Sequence, residues 1–185
     1  RRRADRLSML RPFTLHRPRT AEEACDLLAR LGEDAAPYAG GTELLLLMGN
    51  DDWAANHDVL ERHDGELWRV LHGRAFRVDG VPVAGLSWVP ITPFAIKDWE
   101  RWEDGEAESP ARLQGWLSSR DGVHEFRFEP ERRTPTIAGG LAELAALSPP
   151  AETVYVLHSP PRDTACDVIA SRQHVGSRAI RAFVE

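Results

Sequence analysis

This sequence has no long apolar run, and that absence excludes a class of protein. Its longest apolar stretch, "LLLLM" at Leu44–Met48, is far shorter than the roughly 20 residues that a membrane-spanning helix requires. The basic N-terminus "RRRADRLSML" is not followed by the apolar core of a signal peptide. We therefore expect a cytoplasmic protein with no membrane partner, in which residues 1–8 are a disordered tail.

Cysteine, lysine and an excess of positive charge are also lacking. Cys25 and Cys166 are far apart and show no CxxC spacing, so a disulfide framework or zinc knuckle is not expected, and both are predicted to be buried thiols. The net charge of −6 argues against a nucleic-acid partner, because phosphate backbones are bound by basic surfaces. Lys97 is the single lysine, and we expect it to form a surface ion pair with Asp98.

Local signals predict several secondary-structure elements. The segment 20–32, "TAEEACDLLARLG", predicts a helix with Thr20 as N-cap, Glu23 completing a capping box and Gly32 at its end. The segment 36–48 predicts a short strand, a Gly-Gly turn and the opening of a second helix, "TELLLLM". Further on, Asp79-Gly80 predicts the turn of a hairpin, and "TVYVL" at 153–157 predicts a buried strand.

The Gly-Gly turn is typical of a phosphate-binding loop. Adjacent glycines before a helix let backbone N–H groups approach a phosphate, and the helix dipole adds to the attraction. Residues 9–48 resemble the N-terminal segment of the FAD-binding subunit in the xanthine dehydrogenase and carbon monoxide dehydrogenase family, which carries a Glu-Glu-Ala helix and an Ala-Gly-Gly-Thr loop. The resemblance implies FAD as a cofactor, with its diphosphate contacted by Ala39, Gly40, Gly41 and Thr42.

A second motif, "GNDD", begins at Gly49. A loop of this composition can present Asn50 as an oxygen ligand to a divalent metal, although an Asx turn is the simpler interpretation. His158 ends a predicted strand, and a histidine at that position is a common metal ligand in layered α/β folds, or else a structural hydrogen-bonding residue.

Four segments together resemble a branch of the calcineurin-like metallophosphoesterases: "GNDDW", "WVPITPFAIKDWERW", "VYVLHSPPRDT" and "HVGSRAIRAFVE". The resemblance covers residues 49–185 and implies an α/β protein, a four-layer α/β/β/α sandwich with two metal ions of the Mn, Fe or Zn class at the strand ends. It implies that Asn50 and His158 bind one metal. Asp51 stands where the family usually has a histidine that acts as general acid or phosphate ligand.

The sequence also departs from that family. The Asp-x-His and Gly-Asp motifs that open its metal site, and the Gly-His-x-His that closes it, do not occur in these 185 residues. Because a two-metal site needs a bridging carboxylate and several ligands, we expect little or no activity from the chain as given. Asp163 and Asp167 could line the site, but solvated loop carboxylates are the simpler expectation. His174 could lie near a phosphate or cap a loop, and His57, His63 and His72 are predicted to lie at the surface.

These observations lead to one domain scheme and three functional hypotheses. A flavoprotein-like α+β segment at 9–48 precedes an incomplete metallophosphoesterase-like domain at 49–185, an arrangement that favours a joined or truncated reading frame. The first hypothesis is a phosphoesterase that hydrolyses a small phosphate ester. The alternatives are a fragment of the FAD-binding medium subunit of a molybdenum hydroxylase-type oxidoreductase, and a non-catalytic interaction domain.

Overall fold

The described residues form helices together with parallel and antiparallel strands, as expected for the α/β class. The computed structural model describes residues 14, 16–32, 45–66, 68–104, 112–129 and 134–185. Its helices are α1 (Ala21–Leu31), α2 (His57–Glu61), α3 (Ile137–Leu147) and α4 (Arg178–Val184). Its strands are β1 (Leu45–Leu46), β2 (Arg69–Val70), β3 (Arg74–Val78), β4 (Val81–Leu86), β5 (Gln114–Ser119), β6 (Gly122–Arg127) and β7 (Val154–Leu157).

Helix α1 begins and ends where its local signals predict. The Thr20 hydroxyl accepts a hydrogen bond from the Glu23 N–H at 3.1 Å, and the Glu23 carboxylate in turn accepts from the Arg19 N–H at 2.7 Å. The reciprocal bond therefore reaches one residue further back than in a standard capping box. Gly32 follows the last helical residue with a φ of 57°, a conformation that favours glycine.

The apolar run before Gly49 forms a strand where the sequence predicts a helix. Leu45 and Leu46 pair in parallel with Arg69 and Val70, and the Leu71 N–H donates to Leu46 O at 2.9 Å. A short apolar run has no periodicity that separates a buried strand from a buried helix, so the partner decides. Here β2 supplies that partner.

The main sheet of the described residues has the strand order β3-β4-β7. Strands β3 and β4 form the predicted hairpin, with Asp79 and Gly80 both in the left-handed region at φ 48° and 83°. Strand β7 lies parallel to β4, with Leu157 beside Leu86. One face of this sheet packs against two helices.

Helices α3 and α4 cover that face. The core cluster consists of Leu86, Ile137, Leu141 and Ile180, and Leu157 and Phe183 pack against it. The opposite face is less covered, since Val154 and Val156 of β7 have exposed fractions of 53 % and 39 %. The prediction of a strand at 153–157 is thus confirmed from residue 154 onward, but its burial is wrong on one face.

A second hairpin, β5–β6, packs beside the long loop that follows β4. Trp116 exchanges backbone hydrogen bonds with this loop, donating to Ala95 O and accepting from the Lys97 N–H, both at 2.9 Å. Trp99 and Trp102 of the same loop are 6 % and 4 % exposed, so they serve in packing. No helix in the described ranges is long and apolar enough to cross a membrane.

Candidate functional site

The candidate site lies at the edge where β4 and β7 end. The two strands are parallel, and the first residue beyond β7, His158, donates its N–H to Leu86 O at 3.1 Å. The turn after β1 brings Asn50 to the same place. Strand β1 belongs to a separate two-stranded sheet with β2, so this turn brings a residue from outside the main sheet against the end of β7. Two residues 108 positions apart in the sequence come into contact there.

Asn50 and His158 meet through their side chains. The amide oxygen Oδ1 lies 2.9 Å from the imidazole Nε2, and the Asn50 backbone N–H points at the same nitrogen from 3.4 Å. One imidazole nitrogen cannot both accept that N–H and donate to Oδ1, so its tautomer decides which bond forms. A protonated Nε2 donates to Oδ1, and an unprotonated Nε2 accepts the Asn50 N–H. Whether the two residues also share an ion stays a prediction.

Asp51 and Asp52 hold the turn that presents Asn50. The Asp51 carboxylate accepts a hydrogen bond from Asn50 Nδ2 at 3.1 Å, which directs the amide oxygen toward His158. Asp52 accepts from the Gly49 N–H at 2.8 Å and donates its own N–H to Gly49 O at 3.0 Å. Asp51 is exposed and is positioned to orient an amide; its predicted role in proton transfer stays a prediction.

Gly49 is required by the closeness of this contact. A Cβ atom built on Gly49 would overlap the His158 ring, so any larger residue forces the imidazole away. The glycine of the "GNDD" motif therefore has a steric role that does not depend on phosphate or metal binding. It lets the turn after β1 lie directly against the histidine that ends β7.

Lys97 and Asp98 do not form the surface ion pair that their adjacency suggests. The Lys97 side chain is fully buried, and its ammonium donates to Glu100 Oε2 at 2.7 Å and to Thr92 O at 2.9 Å. Burial raises the pKa of Glu100 to about 7, against the opposing hydrogen bonds from Lys97 and Thr92. Asp98 is 6 % exposed and contacts other segments. Lys97 pairs with a residue three positions along the chain and Asp98 with remote segments, so adjacency of the two charges does not determine their partners.

The histidines predicted at the surface are half-buried. His72 lies between Trp88 and Trp99, with ring centroids 5.6 and 5.1 Å away, and its Nδ1 accepts the Ser87 N–H at 3.0 Å. Burial, and then the positive charge of neighbouring groups beginning with His57, lowers the pKa of His72 to about 4. His72 is therefore a neutral packing residue at neutral pH. His57 and His63 also contact tryptophan rings.

A second cluster lies in the loop between His158 and α4. Within the described ranges, one group of three His, Cys, Asp or Glu side chains has ligand atoms that all lie within 4.8 Å of one another. It consists of Asp163, Asp167 and His174. Asp167 is buried, and it accepts from His174 Nδ1 at 2.8 Å and from the backbone N–H groups of Asp163, Thr164 and Gly176.

These hydrogen bonds explain the electrostatics of Asp167. Burial alone would raise its pKa, but the bonds from His174 and from the three backbone amides outweigh it and hold the pKa below its ordinary value. Both oxygens of the Asp167 carboxylate already accept hydrogen bonds from this loop, so the side chain holds the loop in its conformation. The cluster therefore has a structural explanation that needs no ion, and the expectation of a solvated loop is wrong for Asp167.

Other sequence-based candidates differ in outcome. The predicted FAD-contacting residues, Ala39, Gly40, Gly41 and Thr42, lie outside the described residues, so FAD binding stays a prediction. The two cysteines are exposed, which makes the expectation of buried thiols wrong.

No protein-family model matches this sequence, and neither a curated protein nor a solved structure matches it. The geometry of the site therefore carries the functional argument without support from relatives.

Proposed function

We propose that this chain is a metal-dependent phosphoesterase domain in which Asn50 and His158 bind one divalent cation. The observation that carries the proposal is the separation of 2.9 Å between Asn50 Oδ1 and His158 Nε2. Ligands at about 2.1 Å from one ion that subtend roughly a right angle, as in octahedral coordination, lie about 3 Å apart. The pair therefore has the spacing of two neighbouring ligands, and its members come from distant segments.

The donor set fits the cations of the proposed class. A neutral imidazole nitrogen suits Zn, Fe and other first-row metals, and an amide oxygen suits the harder Mn. Such a cation would polarise a phosphoryl oxygen and lower the pKa of a bound water. Asp51 fixes the orientation of the Asn50 amide, as a hydrogen-bonded neighbour of a ligand commonly does.

The same donor set limits the affinity that we propose. Among the described residues, no group of three His, Cys, Asp or Glu ligand atoms includes His158. Water or phosphate-ester oxygens would have to complete the coordination sphere. We therefore propose weak metal binding and little turnover of a small phosphate ester by this chain alone.

The arrangement of the main sheet supports the proposed four-layer sandwich. Along a strand, successive side chains point to opposite faces. Leu86 and Leu157 face α3 and α4, so Val83, Val154 and Val156 face the other way. An apolar face opposite the helices suits a second packed sheet, which is the middle of an α/β/β/α arrangement.

The test measures metal binding and hydrolysis separately. Isothermal titration calorimetry should show weak binding of Mn²⁺ to the full parent chain. Neither Asn50→Ala nor His158→Ala should bind Mn²⁺ detectably. Asp163→Ala, which changes the second cluster, serves as the matched control and should bind as the parent chain does. A chromogenic phosphate diester assayed with Mn²⁺ should show little turnover in any of the four proteins.

Two outcomes would contradict the proposal. Equal Mn²⁺ binding by the parent chain and both alanine variants would show that the ion lies elsewhere. Robust turnover by the parent chain that both alanine variants lack would support a phosphoesterase. It would contradict the little turnover proposed here, because it would require further metal ligands at the site.

A further inference from the structure

A buried carboxylate in the loop after β4 contacts the segment that carries Asn50. Asp98 is 6 % exposed. Its Oδ2 accepts the Ala54 N–H at 2.8 Å and the Ser118 hydroxyl at 2.6 Å, and its Oδ1 accepts the Ser118 N–H at 2.8 Å. One carboxylate thus links two segments that are 64 residues apart in sequence, a separation obtained as 118 minus 54.

Ser118 extends the same link. Its Oγ accepts the Ala55 N–H at 2.8 Å while donating to Asp98. The Ala54 and Ala55 amides are the first donors of the helical stretch that runs through the 3₁₀ turn Ala54–Asn56 into α2. Helices leave their first N–H groups without partners, and the N-cap residue here, Trp53, makes no side-chain cap bond. Asp98 and Ser118 supply the missing acceptors from outside the segment.

The link bears on Asn50 because the intervening chain is short and has little structure of its own. Between β1 and the 3₁₀ turn, the chain forms only the turn closed by Gly49 and Asp52. Fixing Ala54 and Ala55 against β5 therefore fixes one end of that turn, and β1 fixes the other. The position of Asn50 against His158 follows from these two anchors.

We propose that Asp98, together with Ser118, is a positioning residue that holds Asn50 in contact with His158. The contribution to metal binding rests on the proposed function, but the positioning itself does not. Loss of a hydrogen bond to a charged group changes a local opening equilibrium by about tenfold or more. The segment from Gly49 to Asn56 should loosen by that factor when the carboxylate is replaced.

The experiment uses the full chain with Asp98→Asn, Ser118→Ala and Glu103→Gln. Glu103 is a matched control, because its carboxylate accepts from the Ser177 hydroxyl and the Ala179 N–H at the start of α4 and so caps a different helix from a distance. Amide hydrogen exchange reports the opening of each helix start. The ¹⁵N chemical shift of His158 Nε2 reports its contact with Asn50, with Asn50→Ala as the reference for a lost contact.

We expect exchange at Ala54 and Ala55 to accelerate about tenfold or more in Asp98→Asn and Ser118→Ala, with the His158 shift moving toward that of Asn50→Ala. Glu103→Gln should instead accelerate Ala179 and leave His158 unchanged. If Asp98→Asn fails to fold, amide exchange and the His158 shift in Ser118→Ala test the inference.

Unchanged exchange in the folded variants would overturn the inference, and so would faster exchange with an unchanged His158 shift. Absence of Asn50-dependent Mn²⁺ binding in the parent chain would refute only the proposed function.

Discussion

Replacing Lys97 by methionine should destabilise the protein in a pH-dependent way. The Lys97 ammonium and the Glu100 carboxylate are both fully buried and lie 2.7 Å apart. The substitution keeps most of the side-chain volume and removes the charge. It leaves Glu100 with the Thr92 hydroxyl as its remaining side-chain partner. Breaking a buried pair from one side typically costs about 3–5 kcal/mol of unfolding free energy.

The pH dependence follows from Glu100. Burial already raises its pKa to about 7, and loss of the two favourable interactions with Lys97 would raise that pKa further. The folded state then binds a proton more tightly than the unfolded state does. The stability of Lys97→Met is therefore greatest below the ordinary pKa of a glutamate and is lost as pH rises through the folded pKa. The parent chain loses this contribution only up to the Glu100 pKa of about 7, whereas the variant continues to lose about 1.4 kcal/mol per pH unit above it. We therefore expect the cost of the substitution to be about 1.4 kcal/mol larger at pH 8 than at pH 5.

Guanidinium unfolding followed by tryptophan fluorescence measures both values. The double variant Lys97→Met/Glu100→Gln should recover most of the loss, because the unpaired charge is gone. Arg17→Met, which breaks an exposed pair with Glu66, is the control and should change stability by about 1 kcal/mol or less at either pH. An equal cost of Lys97→Met at pH 5 and pH 8 would refute the reasoning, since packing alone would then explain it.

Three further predictions follow from the same structure. Gly49→Ala should displace the His158 ring and weaken Mn²⁺ binding by about tenfold or more, as measured by titration calorimetry. The pKa of His72 is lowered to about 4, so its neutral state should contribute about 3 kcal/mol to the free energy of unfolding, and this contribution should be lost as pH falls from 6.5 through 4. Urea unfolding of His72→Gln should lack this dependence of the unfolding free energy on pH. Asp167→Asn should lower the unfolding free energy at pH 7 by about 1.5–3 kcal/mol, because backbone amides and His174 lose a charged acceptor; an unchanged unfolding midpoint would contradict this.

The elements that the sequence predicts correctly depend on local chemistry. Thr20 caps α1 because its hydroxyl reaches an amide three residues away. Asp79 and Gly80 form a hairpin turn because both adopt positive φ, which few other residue pairs tolerate. In each case the residues that determine the conformation are adjacent in the chain, so no tertiary information is needed.

The errors occur where the partner is distant or where burial selects the partner. Leu45 and Leu46 become a strand because β2 supplies the hydrogen bonds, and their sequence is equally compatible with a helix. Lys97 and Asp98 are neighbours in sequence, yet one pairs with Glu100 in the interior and the other with amides of two remote segments. Nothing in a run of charged and aromatic residues states which of them will be buried.

The site itself shows how two interpretations of one residue can be separated. Asn50 was open to two explanations, an Asx turn or a metal ligand. The turn is closed by Asp52, whose carboxylate accepts the Gly49 N–H, so the side chain of Asn50 is not needed for it. That side chain is held between Asp51 and His158, with its oxygen toward the imidazole. If Asn50 served only the local turn, Asn50→Ala would leave the His158 Nε2 shift unchanged, whereas a side chain that holds the imidazole by direct contact requires that shift to move.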